Sequence, residues 1–272
     1  MTLFSMEFRL LRKPLLWWSV LCGVLLAFFM LFYPSMQNAD FMELLEGKMD
    51  FLPEGMRKMF NLDVMPDFSQ IDQFFAYVAQ FFLMAAAVYA GMLGAHSLIK
   101  EETDGTIEFL YAHPISRTKI LCQKLLASLC IYGLFVGGQA VLTTAFFAFL
   151  TPEGQDTALM IRHCLQIYGG FFLVGATFLG IGFFLSTLLS GSRQAGNMVL
   201  GLVFFSYLLG IFSSLIDGMG FIRYLSPLHY FLPNDILLKG FSMGNMGILM
   251  GVFLVCILAS LLLYRKKDFH LQ

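Results

Sequence analysis

Six apolar stretches constrain this chain more than any other feature of its sequence. They lie near Leu15–Tyr33, Phe74–Leu98, Ile120–Leu150, His163–Ser190, Asn197–Ile216 and Met246–Tyr264. Each is long enough to cross a hydrocarbon core, which takes about 20 residues of helix. In lipid every backbone amide must be satisfied within the spanning element, so only helices and closed barrels cross. Barrel strands alternate polar and apolar residues over about 10 positions, and these runs do not alternate. The sequence therefore predicts an all-α, polytopic membrane protein with six transmembrane helices in a single domain over residues 1–272. Composition agrees. Charged residues make up 13% of the chain and hydrophobic ones 58%, with 31 Phe, whereas a soluble domain carries about 25% charged residues.

The third and fourth spans exceed the length a bilayer requires. They either tilt or continue as helix beyond it. Small residues recur at four-residue spacing: Ala87, Gly91 and Ala95 in span 2, Gly133 and Gly137 in span 3, and Ala176–Gly180 and Gly182–Ser186–Ser190 in span 4. Such rows let helix backbones approach closely in lipid. Helix packing is the first reading and lining of a pathway the second. Cys22, Cys122, Cys130, Cys164 and Cys256 all lie in or beside apolar spans with no CxxC. They read as small core residues, with no disulfide and no metal.

Six spans put both termini on one side. If that side is the cytoplasm, eleven of the 17 lysines and arginines lie inside: Arg9, Arg12, Lys13, Lys100, Arg117, Lys119, Lys124, Arg193, Arg265, Lys266 and Lys267. Lys48, Arg57, Lys58, Arg162, Arg223 and Lys239 lie outside. The positive-inside rule thus predicts a multi-pass protein of the plasma membrane with cytoplasmic termini. The first span is too long for a signal-peptide core and no A-x-A-like site follows it, so it is expected to be retained. Residues 1–14 are amphipathic, with Phe4, Phe8 and Leu11 on one face and Arg9, Arg12 and Lys13 largely opposite. Pro14 is expected to separate them from span 1. They read either as an interfacial helix or as a basic flank that fixes topology.

Two outer segments stand out. Residues 34–72 carry eight acids from Asp40 to Asp72. Phe41, Leu44 and Leu45 share a helical face there, which suits a short helix on the membrane surface. Residues 217–244 contain Pro227 and Pro233 and read as a re-entrant or interfacial hairpin, with Asn234 or Asp235 capping a short helix.

Much chemistry is missing. No lysine is followed by Ser or Thr, so the phosphate loop GxxxxGK[ST] is absent. HExxH and GxSxG are absent too, and the five histidines stand singly. The span interiors hold almost no charge of the kind that marks ion relays. Lys124, one turn into span 3, is expected to snorkel to the cytoplasm. Gln80, Gln139 and Gln166 lie deeper. Energy is therefore expected to enter from outside the bilayer and outside this chain, and nucleic acid is not expected as a partner.

One dense charged island remains, Lys100–Arg117, reading KEETDGTIEFLYAHPISR. Thr103 or Asp104 suits an N-cap, and Ile107, Leu110 and Tyr111 share one face. Pro114 ends that helix, and Ser116 caps the third span. The island is either a short helix wedged between spans 2 and 3 or a solvated loop. Its run E-x-x-x-G-T-I-E-F-L-x-x-x-P-I-S-R, from Glu101 to Arg117, resembles the signature of ABC-2-type transporter permeases. The likeness extends to the amphipathic N-terminus, six spans, Leu52–Pro53–Glu54 in the outer loop, and S-P-L-H-Y-F-x-P-x-D-I-L-L from Ser226.

The resemblance implies a membrane subunit that pairs with a separate ATP-binding cassette ATPase and with a second permease chain. Residues 99–118 would be the cytoplasmic coupling loop. Glu101, Gly105, Thr106, Glu108, Pro114 and Arg117 match the signature, and Glu102 and Asp104 lie beside them in the expected ATPase-coupling set. Residues 1–14, with Arg9, Arg12 and Lys13, would be the interfacial elbow helix. The chain would bind no cofactor, with ATP and magnesium on the partner ATPase. Family members export drugs, peptides, polysaccharides or lipids, so an amphipathic or peptide-like cargo is expected. The competing expectation is a non-transporting scaffold or sensor subunit that anchors a cytoplasmic ATPase.

Overall fold

The structure, a computed structural model, describes residues 3–36, 53–59, 67–100, 116–151, 156–189, 191–216 and 220–266. Among the described residues, six helices are long and apolar enough to cross a membrane. They are α1 (Leu3–Met36), α3 (Ile71–Ser97), α4 (Arg117–Leu150), α5 (Thr157–Leu188), α6 (Ser192–Leu215) and α8 (Met243–Lys266). Two short helices, α2 (Glu54–Met59) and α7 (Pro233–Lys239), and two 3-10 turns, Gly220–Leu225 and Pro227–Phe231, lie between them. No strand occurs among the described residues.

Local chemistry sets several of the boundaries. Ser116 is extended and its hydroxyl accepts from the Lys119 amide, which starts α4 as expected. The Asp156 carboxylate accepts from the amides of Ala158 and Leu159 at 2.9 and 3.2 Å and starts α5. The short helix α7 departs from the sequence reading. Neither Asn234 nor Asp235 caps it; the capping position is Leu232, and Pro233 is the first helical residue. Proline presets the helical φ and lacks an amide that would be unsatisfied there anyway, so no side-chain cap is needed. Gly240, at φ 75°, ends the helix.

The N-terminal segment also departs. Pro14 does not divide it from the first span, and α1 is one helix of 34 residues. At about 1.5 Å per residue it is roughly 50 Å long, against a hydrocarbon core of about 30 Å. The surplus holds residues 3–14 as a continuation of the span. Proline is tolerated within a membrane helix because neighbouring groups re-satisfy the freed carbonyl.

The centre of the bundle is α3 and α5. Within their most apolar windows, 67% and 72% of residues are buried. Only 17%, 22% and 11% are buried in α1, α6 and α8, so these three are the most exposed helices of the bundle. The small-residue rows explain how α3 and α5 come together. A Cβ on Gly94 would strike the Leu179 carbonyl and crowd the Phe183 amide, and one on Gly182 would strike the Gly91 carbonyl and the Ala95 amide. The helices touch backbone to backbone. The row in span 3 behaves differently, because a Cβ on Gly137 would meet nothing within 4 Å. Of the cysteines, Cys22 and Cys164 are core residues, while Cys122 is exposed.

Candidate functional site

The described ends of the chain, Leu3 and Lys266, and both borders of the 101–115 segment lie at one end of the bundle, here the basal end. The base of α4 is its hub. Lys124 is 2% exposed and its Nζ lies 2.5 Å from a carboxylate oxygen of Glu7 on α1. Ser128, one turn further on, lies 3.2 Å from the hydroxyl of Ser97 in the last turn of α3. Arg117, in the first turn, donates to the carbonyls of Tyr264 and Arg265 at 3.4 and 3.3 Å. These are among the last carbonyls of α8, which lack partners within the helix and attract a cation. Three helices are thus fastened to the first turns of α4 by polar contacts.

Lys124 does not snorkel to solvent as its position near a span end suggested. A charge in a low-dielectric site needs a partner, and Glu7 supplies one. Removing one member of such a pair strands the other, typically at about 3–5 kcal/mol. Glu7 is the residue the sequence reading missed. It follows Leu3 by one turn and both are buried, while Phe8, Leu11, Leu15 and Trp18 pack partly against the core. An acid on the apolar face of an amphipathic helix was the available signal.

Of the residues expected to couple to an ATPase, Glu101, Glu102, Asp104, Gly105, Thr106, Glu108 and Pro114 lie outside the described residues. Arg117 is described, and its position at the start of α4 puts it within the hub. Arg9, Arg12 and Lys13 are exposed on α1, opposite the buried face as the helical spacing predicted. The Arg12 guanidinium lies 5.2 Å from the centroid of the Phe8 ring.

Above the hub, polar contacts are few and specific. The Gln139 side-chain amide donates to the Ser19 carbonyl of α1 at 3.0 Å. Tyr168 and Thr143 share a hydrogen bond of 2.8 Å between α5 and α4. Tyr132 donates to the Phe171 carbonyl at 2.7 Å, in space left by Gly175. A cleft lined by Cys22, Phe82, Phe135, Gln139, Tyr168 and Phe171 measures about 260 Å³ including its open mouth. Ligand pockets run to roughly 300–1,000 Å³.

At the opposite, distal end, His163 lies 2.8 Å from Asp72 and joins α5 to α3. Residues 220–240 fold back onto the bundle. Ser226 bonds Ser206, and Asp235 pairs with both Arg223 and Lys239. Phe231 and Ile236 are buried against α5, where Gly170 leaves them room. His229 packs on Gly210. Burial first, and then the Arg223 charge, push its pKa down to about 4, so it is neutral at pH 7.

A comparison with known families places residues 1–269 in the family described as ABC-2 family transporter protein. The chain belongs to that family. Among curated proteins nothing matches it. The assignment makes this chain a membrane-embedded permease subunit of an ABC transporter, a class that associates with an ABC ATPase. In the permease the hub at the base of α4 lies directly after the segment that carries the family-like run.

Proposed function

We propose that this permease is the membrane half of an ATP-driven exporter of amphipathic or peptide-like cargo, driven by a separate ATPase subunit. The family match over 1–269 carries the reading. The missing phosphate loop supports a separate energy source, since this chain offers no lysine followed by Ser or Thr. In this reading the basal end faces the cytoplasm, residues 99–118 dock on the ATPase, and ATP and magnesium bind there. Glu101 and Glu108 make the polar contacts to the ATPase. Two permease chains assemble, and cargo passes along their shared surface rather than through one subunit. ATP must bind the closed state better than the open one to move the helices at all.

The test is co-purification of the permease with an ATP-binding cassette protein, followed by charge reversal at Glu101 and Glu108. The expected result is normal membrane insertion with loss of the ATPase activity that depends on the permease. Unchanged ATP turnover in the reversed variant would remove the docking assignment. An ATPase that binds and turns over in proteoliposomes without moving any amphipathic probe would favour a scaffold or sensor subunit.

A further inference from the structure

The Glu7–Lys124 pair is the deepest pair of formal charges at the basal end among the described residues, and it joins two particular helices. It connects α1 to α4, the helix that begins where the 101–115 segment ends. The helix α1 packs mainly along α4 and little against α3. In its most apolar window only 17% of it is buried. Between apolar helix faces in lipid there is no hydrophobic drive to stay together, because lipid tails are as apolar as leucine. Register between α1 and α4 therefore depends on specific contacts. Those described are Glu7 to Lys124 at the base and Gln139 to the Ser19 carbonyl higher up. A push on the base of α4 reaches the first of these before any other part of α1.

We propose that Glu7 and Lys124 are positioning residues that carry movement of the 101–115 segment into α1, so that the first span shifts together with α4 when the ATPase changes state. The proposal rests on the reading of this chain as a permease driven through that segment. The pair touches no cargo and no nucleotide. It acts by holding the base of a largely exposed helix to the helix that receives the stroke. Arg117 fastens the α8 carbonyls to the same α4 turns, but through carbonyl contacts over 3 Å long.

The test uses the permease assembled with its ATPase in lipid nanodiscs. Spin labels are placed through unnatural amino acids at Leu31 on α1 and Phe81 on α3, both exposed on the bundle surface. The α1–α3 distance distribution is read without nucleotide and with ATP–vanadate. Wild type is expected to redistribute between two distances. Glu7→Gln and Lys124→Met are expected to lower the nucleotide-induced population ratio about fivefold or more, the scale of an intersite coupling. Lys124→Arg, which keeps the charge, and the swap E7K/K124E are expected to stay closer to wild type than either neutralised variant. The neutral double variant E7Q/K124M strands no charge, so it tests the idea even if a single variant misfolds; it too is expected to lose the redistribution. The proposal is overturned if E7Q/K124M co-purifies with the ATPase and redistributes as wild type does. A wild-type complex with no ATPase attached, or with no redistribution, overturns the functional reading along with it.

Discussion

Two seams in this protein are built by opposite means. Between α3 and α5, side chains are deleted: Gly94 and Gly182 bring main chains into contact in the basal turns of the two helices. Between α1 and α4, side chains are added: a buried Glu7–Lys124 pair and a Gln139 amide reach across. A backbone seam has many weak contacts that all require the same geometry, so it has one arrangement. A seam with polar ties at two levels fixes the register of its two helices at those levels, so they can move as a pair. The first is suited to a fixed centre, the second to a helix that moves against it.

Substitutions separate the two seams, and their expected effects descend in size. Gly94→Leu or Gly182→Leu forces a side chain into the facing main chain, which is not the flexible end of anything. Neither variant is expected to yield monodisperse protein in detergent; recovery of wild-type yield would show that the seam opens without cost. Lys124→Met leaves Glu7 charged and buried, at a cost of about 3 kcal/mol, read as a fall in detergent melting temperature of roughly 6–12 °C. The double variant E7Q/K124M is expected to melt above Lys124→Met, since it leaves no lone charge. If it melts lower, the tie is not ionic. Gln139→Leu removes one hydrogen bond to a carbonyl that remains in its own helix, and should lower stability by about 1 kcal/mol. Gly137→Ala is the smallest and runs the other way. Its Cβ meets open space, so the gain in helix propensity, up to about 1 kcal/mol, should raise the melting temperature. A loss instead would mean that this face packs on something in the assembled transporter.

The sequence was most legible where one physical rule acted alone. Six spans followed from length and apolarity, and the Ser116 start of α4 followed from capping. The rows containing Gly91 and Gly182 were readable as packing because only a missing Cβ allows such approach. In the span 3 row, Gly133 faces Phe172 at contact distance while a Cβ on Gly137 would meet nothing within 4 Å, since a row of small residues says that a close neighbour is permitted and not that one is present. Lys124 was misread because its partner lies 117 positions away, and no local pattern names it. Pro14 was read by the rule for soluble helices, in which an interior proline breaks the run. A long lipid-supported helix overrides that rule. The family likeness pointed to Glu101, Gly105 and Glu108, while the described residues show instead what that segment is attached to.

Pro14 has one more consequence. It has no amide hydrogen to give the Leu10 carbonyl, so the helix lacks one rung at that level. It lies between Glu7, gripped by α4 at the base, and Ser19, gripped by Gln139 above. Bending α1 there has one rung fewer to stretch than bending it elsewhere along the span. The first span is therefore jointed between its two grips. Flexing at that level disturbs less of the backbone ladder than flexing elsewhere in the helix would.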